Sequence, residues 1–401
     1  MAKKKITVVG AGNAGCLTAL AYGWNLRNHP DYHVELRYDP SVPAEPVGQA
    51  TLLDAPRLLW SAMNFNWKNN PIKATMKSGI MYEQWGKVND TIYHTFPADT
   101  MAMHYCPAEM QKFVLLSRYF DVIEDDVEDL SSIDADYIFD CRGKPTDYSD
   151  YQDLVNPTNA VALGKPRWDT TYDKWSRHIA TQDGWTFVIP TPLDSPSHEV
   201  CVGYLYNDQI TSDARAQFNF IRLLDVEYTK TIKFKNYVAK NAVIDDRIIL
   251  NGNRLFFLEP MESSSVQTYY EWIRRSFDAI VLNKMSLQEA GQSMLRYIEQ
   301  VQNFVLWHYK FGSMHDTPFW NHATNMTFND SQFHEMLAKA ITLDEGDCLP
   351  EHYGGLAPND YYGQWTYWNM KLWYNGVSYP RNIQNEVDPS AFIYKRCLYG
   401  T

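Results

Sequence analysis

The clearest chemistry-bearing residues lie near the start of the chain. Gly10-Ala11-Gly12-Asn13-Ala14-Gly15 fits the pattern G-x-G-x-x-G, directly after the apolar run Lys5-Ile6-Thr7-Val8-Val9 and directly before an apolar stretch that begins at Cys16. Between a strand and a helix each glycine has a task. Gly10 permits the tight turn, Gly12 lets a pyrophosphate approach the backbone, and Gly15 lets the helix pack close to the strand. Asn13 and Ala14 open the helix, whose N-terminus then faces the negative charge. Asp39 ends a second strand-like run, residues 33–39, where it can accept from a ribose hydroxyl. It lies somewhat beyond the usual spacing of about 20 residues, as a long intervening helix would require. Asp140 and Gly143 end a further strand-like run, residues 134–143, and this second acid–glycine pair favours FAD over NAD. No second nucleotide fingerprint for NAD(P)H accompanies the first, so if the bound flavin works in reduced form a separate reductase is expected to supply it.

These residues require a particular scaffold. The opening strand, turn, helix and strand predict an α/β fold, a parallel sheet with helices of the FAD-binding flavoprotein type. Segments 184–190, 200–206 and 230–236 predict strands of a second, antiparallel sheet, and the pattern turns helical from about 267 to 310. We expect an FAD-binding box over residues 1–300, with a substrate-side sheet at about 160–235, and a smaller helical, aromatic-rich lobe over 301–401. Composition narrows the function classes. The 401 residues carry a net charge of −12, which disfavours nucleic acid as a partner. No apolar run reaches the length of about 18 residues that a membrane span needs. The six cysteines show no C-x-x-C pair or zinc spacing, which favours a reducing, cytoplasmic setting. The 27 Tyr, 13 Trp and 18 Phe fit either a large aromatic core or a protein that handles flat ligands.

Along most of its length the chain resembles the flavin-dependent halogenases of the tryptophan-halogenase type; a phage or a bacterial member would fit. After the glycine fingerprint, Val47-Gly48-Gln49-Ala50-Thr51 resembles the family's VGEAT segment, with Gln49 in place of the acid. Ala74-Thr75-Met76-Lys77-Ser78-Gly79-Ile80, followed by Trp85, resembles the stretch that carries the family's essential lysine. Tyr93-His94-Thr95-Phe96 is similar to a substrate-touching YHxF stretch, and Trp185-Thr186-Phe187-Val188-Ile189-Pro190 to WxWxIP, with Phe187 replacing the second tryptophan. Phe257-Leu258-Glu259-Pro260-Met261-Glu262-Ser263 resembles the FLEPLES segment. His308-Tyr309 with Asp316-Thr317-Pro318-Phe319-Trp320, and Tyr361-Tyr362 with Trp373-Tyr374-Asn375-Gly376, resemble late family stretches.

The resemblance implies a halogenase in which reduced FAD and dioxygen give a flavin hydroperoxide that halide attacks to yield hypohalous acid. FAD would be held by the glycine fingerprint with Asp39, Gln49, Ala50, Asp140, Gly143 and Gly252. Lys77 would hydrogen-bond hypohalous acid or carry halogen as a haloamine; as an amine it needs a pKa lowered by burial. Glu262 would act as general base or stabilise the cationic ring. The backbone N–H groups of Ser264 and Ser265, at a helix start, would bind chloride, bromide or iodide. His94, Phe96, Trp185, Phe187, Tyr361, Tyr362 and Trp373 would face a small electron-rich aromatic substrate. A flavin reductase is the implied partner, and a homo-oligomer stays open. His308 and His315 lack the partners of a metal set, so they are taken as structural and no metal is expected.

Several positions depart from the family pattern. Trp368 and Val377 stand where residues that hold the amino-acid end of free tryptophan would sit, and Ser264-Ser265 replaces a Thr-Gly pair. A more open, tolerant site is the expectation. Two other readings stay open: an FAD-dependent aromatic monooxygenase, and a flavin-binding homologue without activity.

Overall fold

The computed structural model describes residues 3–96, 102–170, 174–343 and 361–380. Its first sheet has six strands in the order Val243–Ile244, Ile248–Leu250, Tyr137–Asp140, Lys4–Val9, Tyr32–Tyr38 and Asp121–Glu124. Its pairs are parallel except for the hairpin at the Val243–Ile244 edge. The central strand carries Ile6, Thr7 and Val8, all fully buried, as expected of a parallel strand covered on both faces. The helix Asn13–Leu26 is almost wholly buried because its small residues let it lie close to the sheet. A Cβ placed on Gly15 would fall 1.7 Å from the carbonyl oxygen of Gly10. On its far side the helix meets Ser264–Ile280, where the Tyr22 hydroxyl donates to Ser276 Oγ at 3.0 Å.

A second sheet of seven strands runs in the order Val226–Lys233, Ala160–Pro166, Val202–Tyr206, Gly184–Val188, Trp175–Thr181, Gly79–Glu83 and Thr91–Thr95. It is antiparallel except where Trp175–Thr181 runs parallel to Gly79–Glu83. The strand expected at 230–236 starts earlier, at Val226. The strands Gly79–Glu83, Thr91–Thr95, Ala160–Pro166 and Trp175–Thr181 are not anticipated by the sequence pattern. Trp175–Thr181 shows why: nearly every residue in it is buried, so no apolar–polar alternation marks it.

A three-stranded sheet, Gln49–Ala50, Ala102–Tyr105 and Thr75–Lys77, holds Gln49 and Ala50 in one layer with Lys77. The helix Leu287–Lys310, started by a Ser286–Glu289 capping box, continues unbroken across residue 300. The helix Tyr367–Ser378 packs on Thr91–Thr95. Between these elements lies an aromatic core centred on the fully buried Trp85, whose ring meets Tyr82, Trp185, Tyr309, Trp320 and Trp373. Among the described residues no helix is long and apolar enough to cross a membrane.

Candidate active site

The glycine fingerprint ends the central parallel strand and opens a cavity of about 390 Å³, lined among others by Gly10, Gly12, Asn13, Ala14, Asp39, Gly143 and Gly252. Gly10 has φ +102°, and a Cβ there would meet the Cys141 carbonyl oxygen at 2.6 Å, so the turn needs glycine. Gly12 is different. Among the described residues, a Cβ on it would meet nothing within 4 Å beyond its own stretch of chain, and Asn13 Oδ1 is buried without a hydrogen-bond partner. Open space over a helix N-terminus, with an unpaired polar atom beside it, fits a dinucleotide.

The other expected cofactor residues occupy varied positions. Asp39 lines the cavity while its carboxylate accepts from Ser41 N at 2.8 Å and Ser41 Oγ at 2.7 Å. Asp140 does not line it. The carboxylate is buried and held by Arg142 Nε at 2.9 Å and Arg254 Nε at 3.0 Å. It therefore fixes the strand end that presents Arg142 and Gly143, both of which do line the cavity. Gln49 and Ala50 likewise stand outside it, in the small sheet that carries Lys77.

Lys77 ends its strand only 1% exposed. Its Nζ donates to Ser263 Oγ at 2.7 Å and to the Thr51 carbonyl at 3.3 Å, and lies 5.1 Å from the centre of the Phe96 ring. Burial lowers its pKa to about 7, against a smaller opposing pull from Glu262. An amine that titrates near neutrality can donate a proton or, uncharged, act as a nucleophile.

Glu262 sits in a turn that strains the backbone. Both Glu262 and Ser263 adopt left-handed conformations, φ 62° and 54°, before the helix Ser264–Ile280 starts. Such conformations cost about 1–2 kcal/mol each for residues other than glycine, and strain of this kind collects where a side chain must be aimed. The turn directs the Glu262 carboxylate into the aromatic core. There Oε1 accepts from the Tyr82 hydroxyl and lies within hydrogen-bond distance of His94 Nδ1 at 2.8 Å and of His308 Nε2 at 3.1 Å, while Oε2 accepts from Trp365 Nε1 at 3.2 Å. Burial pushes the carboxyl up, but His94 and His308 outweigh it and hold Glu262 well below the ordinary range. Glu259, three residues earlier, is pushed up by burial, with Thr158, Tyr309 and Trp185 opposing in part. Two neighbouring carboxyls are thus driven apart by their surroundings, a pattern found where acid and base roles are divided.

The same turn brings Ser264 and Ser265 to the start of a helix whose N-terminus no side chain caps. Ser264 is buried and its hydroxyl bonds back to the Met261 carbonyl at 3.2 Å. The aromatic residues divide into groups. Trp373 packs against His308 and Tyr82, with ring centres 4.3 and 4.8 Å apart, and its Nε1 is buried without a partner among the described residues. Trp185 donates Nε1 to Glu259 at 3.3 Å and has Phe187 beside it, 6.3 Å between centres. Tyr361 and Tyr362 form a short hairpin with Trp365–Thr366, and the Tyr362 hydroxyl donates to Asp330 at 2.6 Å. Lys77, Glu262, His94, Phe96 and Trp373 thus come together, while Tyr362 is engaged elsewhere.

Sequence reasoning missed Tyr82, Trp365, Asn369 and Thr51, and took His308 as a structural histidine outside any metal set. The nearest donor to Glu262 along the chain is 46 residues away and the farthest 180. Strand alternation offers one signal: Tyr82 pairs with Ile92 and Ile80 with His94, which puts Tyr82 and His94 on one face. His308 in fact lies with His94 and Glu262, their ligand-type atoms all within 4.8 Å of one another.

A cavity over a glycine turn at the end of a parallel sheet, in a chain that also buries a lysine beside a carboxylate-bearing turn, defines a dinucleotide-binding protein of the α/β class. The tryptophan halogenase family profile matches residues 5–121 and 121–375, and the chain belongs to that family. Tryptophan 6-halogenase ThaL of Streptomyces albogriseolus is 25% identical over 240 residues, 58% of this chain and 43% of that protein. Tryptophan 7-halogenase RebH of Lentzea aerocolonigenes is 23% identical over 243 residues, 55% of this chain and 45% of that protein. The matched stretch thus spans less than half the length of these curated relatives. The crystal structure of the tryptophan 6-halogenase SttH from Streptomyces toxytricini superposes with a TM-score of 0.73 at 17% identity, covering 98% of this chain and 95% of that one, and so shares its fold.

Proposed function

We propose that this chain is an FAD-dependent halogenase acting on a small, electron-rich aromatic or heteroaromatic compound. The observation that carries the reading is Lys77: a lysine 1% exposed, with its pKa lowered to about 7, tied through Ser263 to the strained turn that aims Glu262. FAD would be held by the Gly10–Gly15 turn, with Asp39, Gly143 and Gly252 along the cavity and Asp140 anchoring its floor. Bound there in reduced form, supplied by a separate flavin reductase, it furnishes with dioxygen the oxidising power that turns halide into hypohalous acid. The protein's own residues do the rest. Lys77 holds and polarises the halogen donor beside the ring. Glu262 opposes the positive charge that develops on the ring and accepts its proton. The uncapped helix start at Ser264 and Ser265 offers N–H groups to the halide. His94, Phe96 and Trp373 frame the ring. Glu259 and the Trp185–Phe187 pair form the wall behind it.

The substrate lacks the charged end of an amino acid. Trp368 and Val377 supply no carboxylate or amide there, and Val377 is buried against Gly86. We therefore propose a tolerant site. The test is mass spectrometry after incubation with FAD, a flavin reductase, NADH, dioxygen, bromide and a pool of phenols, indoles and free tryptophan. Halogen-shifted masses on several phenols and indoles, with free tryptophan poor, support the reading. Halogenation of free tryptophan alone removes the open-site proposal, and oxygen insertion without halide replaces the halogenase with a monooxygenase.

A further inference from the structure

The hydrogen bonds around Glu262 allow its protons to be counted. Asn369 Oδ1 accepts from Thr366 N at 2.8 Å and from Thr366 Oγ1 at 3.0 Å, inside a capping box that begins the helix Tyr367–Ser378. That fixes the amide, so Asn369 Nδ2 must be the atom that faces His94 Nε2 at 2.7 Å. An amide nitrogen only donates. His94 Nε2 therefore carries no proton, and His94 is the neutral tautomer with its proton on Nδ1, donated to Glu262. His308 is set the other way. Its Nδ1 lies 2.8 Å from the Phe304 carbonyl, which only accepts, so Nδ1 carries a proton. Its Nε2 still faces Glu262 Oε1 at 3.1 Å. A neutral imidazole would turn a lone pair toward a carboxylate there. The contact is a hydrogen bond only if one more proton lies between the two groups.

We infer that Glu262 and His308 share a single exchangeable proton, that His94 is locked out of proton transfer by Asn369, and that this pair is the proton reservoir of the halogenation step. The inference rests on the reading of Glu262 given above. The balance is closed. As the aromatic ring attacks the halogen of hypohalous acid, the carbon–halogen bond forms and the oxygen–halogen bond breaks. The oxygen keeps that electron pair, takes the proton of the pair, and leaves as water. The ring carbon then loses its hydrogen as a proton to Glu262, the C–H electrons restore the aromatic system, and the pair regains its starting state. His308 acts through Glu262 and is a positioning residue. Among the described residues, the titratable groups that face the pair are Tyr82, His94 and His178, with Lys77 beyond the turn. All sides are buried, so the proton does not exchange freely with bulk water.

Nuclear magnetic resonance of the full chain with isotope-labelled histidine and glutamate reads the proton count without turnover. Expected are a neutral Nδ1–H signature for His94 and one proton shared by His308 Nε2 and the Glu262 carboxyl at neutral pH. His308 with only Nδ1 protonated beside an ionised Glu262, or a doubly protonated His94, overturns the inference. The second arm is His308→Gln, which keeps a neutral donor toward Glu262 but has no titratable proton to share with it. With FAD affinity and melting temperature close to wild type, its turnover should fall about a hundredfold, within the usual range for acid–base catalysis, with a changed pH profile. Wild-type turnover and pH profile in this variant overturn the proton-reservoir role. If the wild type halogenates nothing, the functional reading fails, and the resonance arm still decides the shared proton.

Discussion

At the residue scale, the site is organised by the expense of a buried amine. Each unit of pKa shift corresponds to about 1.4 kcal/mol, so lowering Lys77 from 10.5 to about 7 makes its charged form costly by several kcal/mol. The sign follows. Between about pH 7 and 10.5 the unfolded chain binds a proton that the folded chain does not, so this group's contribution to stability rises with pH across that window. Lys77→Met should therefore raise the melting temperature, most below pH 7, with the gain closing as pH approaches 10.5. Thermal unfolding of both proteins across pH measures it; a variant less stable than wild type at neutral pH would show that Lys77 is not held in a desolvated state. Lys77 and Glu262 were legible because each lies in a distinctive local string. Their surroundings were not. Neither the strand alternation around Tyr82 nor the string around His308 says what those side chains touch, and only the fold brings Tyr82, His308 and Trp365 to Glu262 from 180, 46 and 103 residues away.

At the scale of elements, the strand–turn–helix from Lys4 to Leu26 was readable because its chemistry is local. Glycines at fixed offsets, an apolar strand before them and an apolar helix after them suffice. The two glycines at its centre should behave differently. Gly10→Ala forces a Cβ to within 2.6 Å of the Cys141 carbonyl oxygen at φ +102° and should destabilise the fold itself. Gly12→Ala meets no atom of the described residues within 4 Å beyond its own stretch of chain, so its melting temperature should match wild type while FAD affinity falls about tenfold or more. Calorimetric titration with FAD beside a thermal melt separates the two. Equal FAD affinity in Gly12→Ala and wild type would move the pyrophosphate away from this turn. Asp140 shows where an element-level pattern misleads. An acid at a strand end was read as a cofactor ligand, yet two arginines claim it, and that pairing is invisible until Arg254 is placed beside the strand.

At the scale of the whole molecule, the aromatic content is largely core. Trp85 touches rings from residues 82 to 373 and ties the seven-stranded sheet to the helices Leu287–Lys310 and Tyr367–Ser378. Trp85→Ala should cost about 3–5 kcal/mol and lower the melting temperature as one cooperative transition. A loss of only a few tenths of a kcal/mol would mean the core closes around the gap. The α/β class with its parallel nucleotide sheet was legible from the first strands and glycines. The seven-stranded sheet was half legible, because strands buried on both faces lose their alternation and merge with core helices in a composition reading. Tyr362 marks the same limit: the string around it points to the substrate, while its hydroxyl is bound to Asp330.

The central claim is that a buried lysine directs halogen onto an aromatic ring. The most direct test is one paired assay. Wild type and Lys77→Ala, matched for FAD affinity, are incubated with the reductase system, dioxygen and a responsive phenol or indole, with bromide and without halide, and the products are weighed by mass spectrometry. We predict a bromine-shifted product from wild type only when bromide is present, and at least about a hundredfold less from Lys77→Ala. Equal bromination by Lys77→Ala, or a gain of oxygen independent of halide, would contradict the account.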